Sequence, residues 1–208
     1  MIKTLELFSG TGSFGKIINA VGGENISLDL SNKFEPNINI NILDWDYKIY
    51  PQGFFDIIWA SPPCTEYSKA KSRGIRDIDG SNKIVKKVIE IIEYFNPHYW
   101  FIENPQTGLL KSQPFMIDLE NKYTYYDTDY CMYGKPYRKR TRFWTNKQYC
   151  LLKLCDKKCG SFIDGRHIGS CGTGGQGQGH IKSYSNKTYT LDEKHSIPLD
   201  LLWQLIME

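Results

Sequence analysis

A cysteine, Cys64, follows two prolines at the end of the apolar run "IIWASPPCTEYSK". Proline fixes its own backbone angle and gives no donor to a sheet ladder, so Pro62 and Pro63 end a strand and hold the next residue on a stiff backbone. A thiol held there is either a buried filler or a presented nucleophile. A carboxylate, Glu103, closes a second apolar run, "YWFIE", just before Asn104 and Pro105. A third stretch, "ELFSGTGSFG", turns from a strand through Gly10, Gly12 and Gly15. Glycines there permit a tight turn and let backbone amides come close to a ligand. Asp29 ends the next strand-like run, "ISLDL"; in nucleoside-binding sheets an acid at that place bonds the ribose hydroxyls. Asp44, in "NILDW", could face an adenine amino group, with Trp45 beside the ring. Each acid alone fits a solvated loop equally well. Together, and without a lysine–serine pair after the glycines, they suit a nucleoside cofactor that has no triphosphate clamp.

The later stretch "CDKKCGSFIDGRHIGSC" holds a different chemistry. Cys155, Cys159, His167 and Cys171 are four soft or borderline donors within one short segment, the number and types that a structural zinc takes. Cys150 lies nearby as a substitute ligand. The surrounding sequence is poor in apolar residues, and a metal can replace a core in such a segment. The alternative is a set of incidental thiols in a recognition loop whose glycines, Gly172 to Gly179, adapt to DNA.

The elements that must position these residues follow from periodicity. Strand-like runs recur at "TLELF", "ISLDL", "NINI", "FDIIWA" and "YWFIE", separated by loops or helical segments. This alternation predicts an α/β fold with a mostly parallel sheet and helices on both faces. The clearest helix is "SNKIVKKVIEIIEYF", residues 81–95, with Ile84, Val85, Val88, Ile89, Ile92 and Phe95 at three- and four-residue spacings. Ser81 or Asn82 is expected to cap it, and Asn96-Pro97 to end it. Loops at the carboxyl ends of parallel strands carry the chemistry, which predicts Ser9, Asp29, Asp44, Cys64 and Glu103 on one rim. Three parts are expected: a catalytic domain over 1–150, a small Cys/Gly-rich insertion over 151–183 that serves target recognition, and a carboxyl-terminal segment, 184–208. In that last segment "SIPLDLLWQLIME" forms a helix packed back on the catalytic domain, with Pro198 in its first turn.

With 208 residues, 40% apolar and 24% charged, the chain can build one substantial core. No stretch approaches the ~18 continuous apolar residues of a membrane span. The beginning, "MIKTLELFSG", enters a strand directly rather than through a signal-like arrangement, so a cytoplasmic protein is expected. Six cysteines in that setting point to free, catalytic or metal-bound thiols. A net charge of +3 permits nucleic-acid binding without arguing for it. The cations are clustered, however: Lys69, Lys71, Arg73 and Arg76 after the cysteine, then Arg138, Lys139, Arg140 and Arg142.

"FSGTGSFG", "SPPC", "ENP" and "YRKRTRFW", in this order, resemble the DNA cytosine-5 methyltransferase family, in a compact form. The resemblance covers most of the chain, from Leu5 to Trp144, and the terminal helix suits the family's last motif. It implies a Rossmann-like, S-adenosylmethionine-dependent methyltransferase fold, double-stranded DNA as partner, and a monomer in a bacterium or encoded by a virus infecting one. It makes Cys64 the nucleophile, Glu103 the residue that binds the ring nitrogen of the base, and Arg140 and Arg142 substrate-pocket arginines. The cofactor is expected against Phe8, Gly10, Thr11, Gly12, Asp29, Leu30, Asp44, Trp45 and Pro63. Three positions depart from the family pattern. Thr65 stands where glutamine is usual, Pro105 stands for valine, and "GKPYRKRTR" carries Tyr137 for glutamine in a motif one residue longer. The recognition region is also very short.

The chemistry stands without the family. Carbon 5 of cytosine is too weak a nucleophile to take a methyl group unaided, and a thiolate added at carbon 6 makes it enamine-like. A carboxylic acid at the ring nitrogen accepts the developing charge, and burial favours its protonated form. Arginines nearby favour the thiolate and hold the carbonyl oxygen. The base must leave the stack, and the basic stretch from Lys69 to Arg76, with Gly74, suits a loop that closes over the backbone. Alternatives are an RNA cytosine-5 methyltransferase, a catalytically silent nucleic-acid-binding homologue, and an amino methyltransferase. The last uses an aromatic residue after its prolines and needs no thiol.

Overall fold

The computed structural model describes residues 1–170 and 189–208. Seven strands form one sheet: β1 (Lys3–Leu7), β2 (Glu24–Asp29), β3 (Ile38–Asn39), β4 (Ile57–Ala60), β5 (Tyr99–Pro105), β6 (Thr124–Asp129) and β7 (Arg140–Thr145). Their order across the sheet is β3-β2-β1-β4-β5-β7-β6. β1 to β5 pair in parallel, and β7 runs antiparallel between β5 and β6. The expected α/β architecture is therefore present, with one reversed strand near the edge.

Alternation along each strand sends successive side chains to opposite faces and builds two cores. On one face Leu5, Leu7, Ile58, Ala60, Ile102 and Trp144 meet Val85, Val88, Ile91 and Phe95 of α2 (Ile78–Phe95), with Met116 and Leu119 of α3 (Pro114–Lys122). On the other, Ile57, Trp59, Phe101 and Phe143 meet Phe14 and Ile18 of α1 (Ser13–Ala20) and leucines of the terminal helix. β4, "IIWA", is buried at all four positions because helices cover both of its faces. Each large apolar side chain so buried stabilises the fold by about 1.5–3 kcal/mol.

α2 starts three residues before the expected Ser81. Asp77 caps it, its Oδ1 accepting the N–H of Gly80 at 2.8 Å, and a side chain at Gly80 would collide with that carboxylate. At its other end Asn96 takes the left-handed conformation (φ 46°) before Pro97.

Beyond β7, residues 151–170 carry a two-residue turn, Asp164-Gly165, that joins β8 (Phe162–Ile163) to β9 (Arg166–His167). After residue 188 come α4 (Leu191–His195), opened by a capping box between Thr190 and Glu193, and α5 (Leu199–Met207). Pro198 is the cap residue of α5, just outside its first turn. Leu201, Leu202 and Leu205 of α5 pack against α1, and the buried Lys147 donates to the carbonyl of Leu205 at 2.8 Å. Among the described residues no helix is long and apolar enough to cross a membrane.

Candidate active site

The pairing of β4 with β5 places Ala60 opposite Ile102. The chain leaving β4 therefore runs beside Glu103 and Asn104. Ser61 anchors it, its N–H donating to the carbonyl of Leu7 at 3.2 Å and its Oγ accepting from Trp59 Nε1 at 3.0 Å. Asn104 Nδ2 donates to the carbonyl of Pro62 at 2.9 Å. The double-proline turn is thus braced by the strand that carries the carboxylate, and Cys64 and Glu103 open into one cavity of about 290 Å³. Asn104 Oδ1 is buried there with no partner among the described residues.

The cavity continues to the glycine turn, where Phe8, Ser9, Gly10, Thr11 and Asp29 line it. Phe8, Gly10 and Gly12 all take positive φ, which turns the chain sharply between β1 and α1. Asp29 fastens that turn: Oδ2 accepts the N–H of Gly10 at 2.9 Å and Oδ1 that of Ser31 at 2.8 Å. Behind it, Glu6 accepts the first N–H groups of α1, from Phe14 and Gly15, and the amide of Asn25. Burial pushes the Glu6 carboxyl up to about 7 against the pull of these three donors. Gly15 is required by space, since a Cβ would lie 2.5 Å from Asn25 Nδ2 and 2.9 Å from Glu6 Oε2.

Glu103 is buried, with Lys139 Nζ 3.8 Å from its Oε1 and the Tyr130 hydroxyl donating to the same oxygen at 3.3 Å. Burial and the negative charge of Glu103 push the Cys64 thiol above its ordinary value, while Lys139 opposes them. His195, from the end of α4, also lines the cavity. Burial and the charge of Lys139 hold its imidazole below the usual histidine range, which favours the neutral form. The α4 segment is latched over this side by Lys135, which donates to Ser196 Oγ at 2.7 Å, and by Tyr137, whose hydroxyl donates to the carbonyl of Glu193 at 2.8 Å.

Several expected residues lie elsewhere. Arg140 and Arg142, expected in the substrate pocket, do not line the cavity. They face directly across the β6–β7 ladder from Asp129 and Asp127. Arg140 is held by Asp129 at 2.6 and 3.0 Å, and Arg142 by Asp127 at 2.8 and 3.0 Å and by Glu120 at 2.9 Å. Burial alone would raise the Asp129 carboxyl, but Arg140 and the Cys155 amide hold it below the usual carboxylate range. Strand parity decides which cation reaches the site. Glu103 pairs with Phe143, so the odd-numbered residues near β7 share its face, and the cation beside it is Lys139. Sequence reasoning missed this, although "YRKRTRFW" contains the alternation that reveals it. Nothing in the pattern marked Tyr130 or His195.

Leu30, Gly12, Asp44 and Trp45 also stand apart from the lining, whereas Phe8, Gly10, Thr11, Asp29 and Pro63 belong to it. Leu30 is exposed, and Trp45 is buried in the core against Tyr47 and Tyr50 instead of presenting its face to a ring. In the basic loop after Cys64, two of four cations are committed internally. Lys71 pairs with Glu66 at 2.5 Å, and Arg76 donates to the carbonyls of Glu66, Ser68 and Lys71. Lys69 and Arg73 remain exposed.

Of the expected metal ligands, Cys155, Cys159 and His167 come together. Cys171 and the glycines after it lie outside the described residues. The donor that joins the other three is Cys131, not Cys150.

Residues 2–114 match the family of C-5 cytosine-specific DNA methylases. A relative from Frog virus 3 (isolate Goorha), named "Probable DNA (cytosine-5)-methyltransferase", is 34% identical over 172 residues, covering 76% of each chain. Two crystal structures share the fold. One is of a candidate DNA modification methyltransferase encoded within an E. coli prophage, with a TM-score of 0.53 and 16% identity, covering 70% of this chain and 46% of that one. The other is a triple mutant of Spodoptera frugiperda DNMT2, with a TM-score of 0.51 and 23% identity, covering 75% and 54%. The chain thus spans about half the length of these solved relatives.

Proposed function

Because the chain belongs to the C-5 cytosine-specific DNA methylase family, we propose that it transfers a methyl group from S-adenosylmethionine to carbon 5 of a flipped cytosine in double-stranded DNA. The observation that carries this reading is the single cavity in which Cys64 and Glu103 meet the glycine turn and Asp29. A nucleoside cofactor fits these residues. Asp29 offers its carboxylate to ribose hydroxyls, the turn offers backbone around Gly10 and Thr11, and the cavity leads from there to the thiol. When bound, the cofactor supplies an electrophilic methyl group.

The residues of the chain do the rest. Cys64 gives up its proton to the Glu103 carboxylate and adds its sulfur to carbon 6 of the base, which makes carbon 5 nucleophilic. With that proton on Glu103, the negative charge that, beside burial, holds the Cys64 thiol up is gone, which favours the thiolate. Glu103 then places that proton at ring nitrogen 3, across the ring from carbon 6, and so balances the charge that develops there. Lys139 takes the place expected of the arginines, steadying Glu103 from 3.8 Å. Once carbon 5 carries the methyl group it loses its own proton to solvent water, ring nitrogen 3 returns its proton to Glu103, and the sulfur leaves carbon 6 as a thiolate, restoring the aromatic ring. The base must be out of the stack for this, and the loop after Cys64 carries exposed Lys69 and Arg73 for the phosphates. Incubation with methyl-labelled cofactor and mixed duplex DNA and RNA, followed by nucleoside analysis, tests the reading. Label in 5-methylcytosine from DNA is expected; label in RNA alone, in N4-methylcytosine or in N6-methyladenine would contradict it.

A further inference from the structure

We propose that Cys131, Cys155, Cys159 and His167 bind one structural zinc ion that fastens the 151–170 segment to the catalytic sheet. Their ligand atoms all lie within 4.8 Å of one another. A tetrahedral zinc, with Zn–S near ~2.3 Å and Zn–N near ~2.0 Å, sets its ligand atoms roughly 3.5–3.8 Å apart. Cys155 Sγ already lies 3.4 Å from His167 Nε2, so small side-chain rotations close the set around an ion. Three thiolates and an imidazole form a donor set that zinc takes in closed, structural sites. All four positions come from the protein, which leaves none open for a substrate.

The four donors converge from three separate places: the short 3-10 turn Tyr130–Tyr133 after β6, the loop from Cys155 to Cys159, and β9. The local backbone is shaped for the task. Lys157 adopts a left-handed φ of 73°, uncommon for a residue with a side chain, and that turn aims its N–H at Cys155 Sγ, 3.4 Å away. Gly160, just after Cys159, is left-handed too. The Asp164-Gly165 turn brings the chain back so that His167 faces the cysteines, and the ring of Phe162 packs edge-on against the imidazole at 5.2 Å. Such an N–H to a sulfur stabilises a thiolate, and the ring contact fixes the imidazole.

The need for a metal is visible in the packing. No residue from 151 to 170 is buried, so the segment has no core of its own, whereas Cys131 is buried in the catalytic body. One ion would therefore tie an otherwise coreless segment to the end of β6. The attachment reaches the ion-pair ladder, because Cys155 N–H donates to the same Asp129 oxygen that Arg140 binds. None of this depends on which reaction the cavity performs.

Metal analysis of the full chain, purified without chelator, tests the proposal. About one equivalent of zinc per chain is expected, with X-ray absorption showing three sulfur and one nitrogen neighbours; less than about a tenth of an equivalent, or oxygen in the first coordination sphere, would overturn it. Cys131→Ser should lose the zinc and Cys171→Ser should keep it. The reverse result would refute this ligand set. If Cys131→Ser does not fold, Cys171→Ser decides alone: retained zinc supports the four residues named, and lost zinc contradicts them.

Discussion

On one face of β5 and β7, Glu103 and Lys139 stand 3.8 Å apart beside a half-buried thiol; on the opposite face of β7, Arg142 is clamped by Asp127 and Glu120 at 2.8–2.9 Å. The two faces belong to the same short stretch of chain and differ only in side-chain parity. Where every charge has a close, geometrically matched partner, the charges hold the fold. Where partners stand off and the pocket is open, as around Cys64, the charges remain free to answer a substrate. The basic loop shows the same division, since Glu66 takes Lys71 and orders the turn while Lys69 and Arg73 are left outside.

The largest effect that separates the two faces is expected at Glu103. Glu103→Gln should lower methyl transfer by about 10²–10⁴-fold, the usual worth of a positioned acid, with little change in the denaturation midpoint. A variant that keeps its rate and loses stability instead would place Glu103 with the structural charges. Arg142→Ala should do the opposite. It leaves two carboxylates without their cation beside a packed strand pair, and chemical denaturation should report a loss of about 3 kcal/mol, the low end for breaking a buried pair because both acids are partly exposed. A collapse of kcat at unchanged stability would mean that the arginine serves the cavity after all.

The smallest effect sharpens the electrostatics of the cleft. The thiol of Cys64 is held up, so its reactive thiolate gains as pH rises past the ordinary ~8.5 and is lost as pH falls. Alkylation of the Cys64 peptide by iodoacetamide, followed by mass spectrometry, should therefore climb through pH 9 without a plateau. Burial raises this thiol most and the charge of Glu103 adds to it, so Glu103→Gln should quicken alkylation at pH 8. Lys139→Ala should slow it. A plateau near pH 7, or Glu103→Gln slowing the reaction, would break the described geometry.

How far the sequence reaches follows from the range of the interactions involved. The periodicity of α2 and the apolar runs of β1, β4 and β5 declare themselves locally, and the double-proline turn with Cys64 needs only its neighbours to be recognised. Asp29 was readable because it closes a strand after a glycine turn, and it does fasten that turn. The helix α2 starts before the expected Ser81 because Asp77, as good a capping residue, accepts the N–H of Gly80 and opens the helix earlier. The family resemblance implies a pocket role for Arg140 and Arg142, whereas neither lines the cavity. Only the pairing of β6 with β7 discloses Asp127 and Asp129 opposite them. Trp45 reads as a ring-stacking residue until the aromatic cluster with Tyr47 and Tyr50 buries it. Cys131 could not be joined to Cys155, Cys159 and His167 from spacing, because the strand reversal through β7 brings it there.

The central claim is that Cys64 forms a covalent bond to the base it methylates, and a trapped adduct tests it most directly. Duplex DNA containing 5-fluorocytosine, incubated with the full chain and cofactor, cannot release fluorine as it would a proton, so the carbon–sulfur bond should persist. The expected result is a denaturant-resistant protein–DNA adduct that maps to the Cys64 peptide and is absent from Cys64→Ser. Methyl transfer to ordinary cytosine in DNA, with no adduct on the fluorinated duplex, would contradict the account.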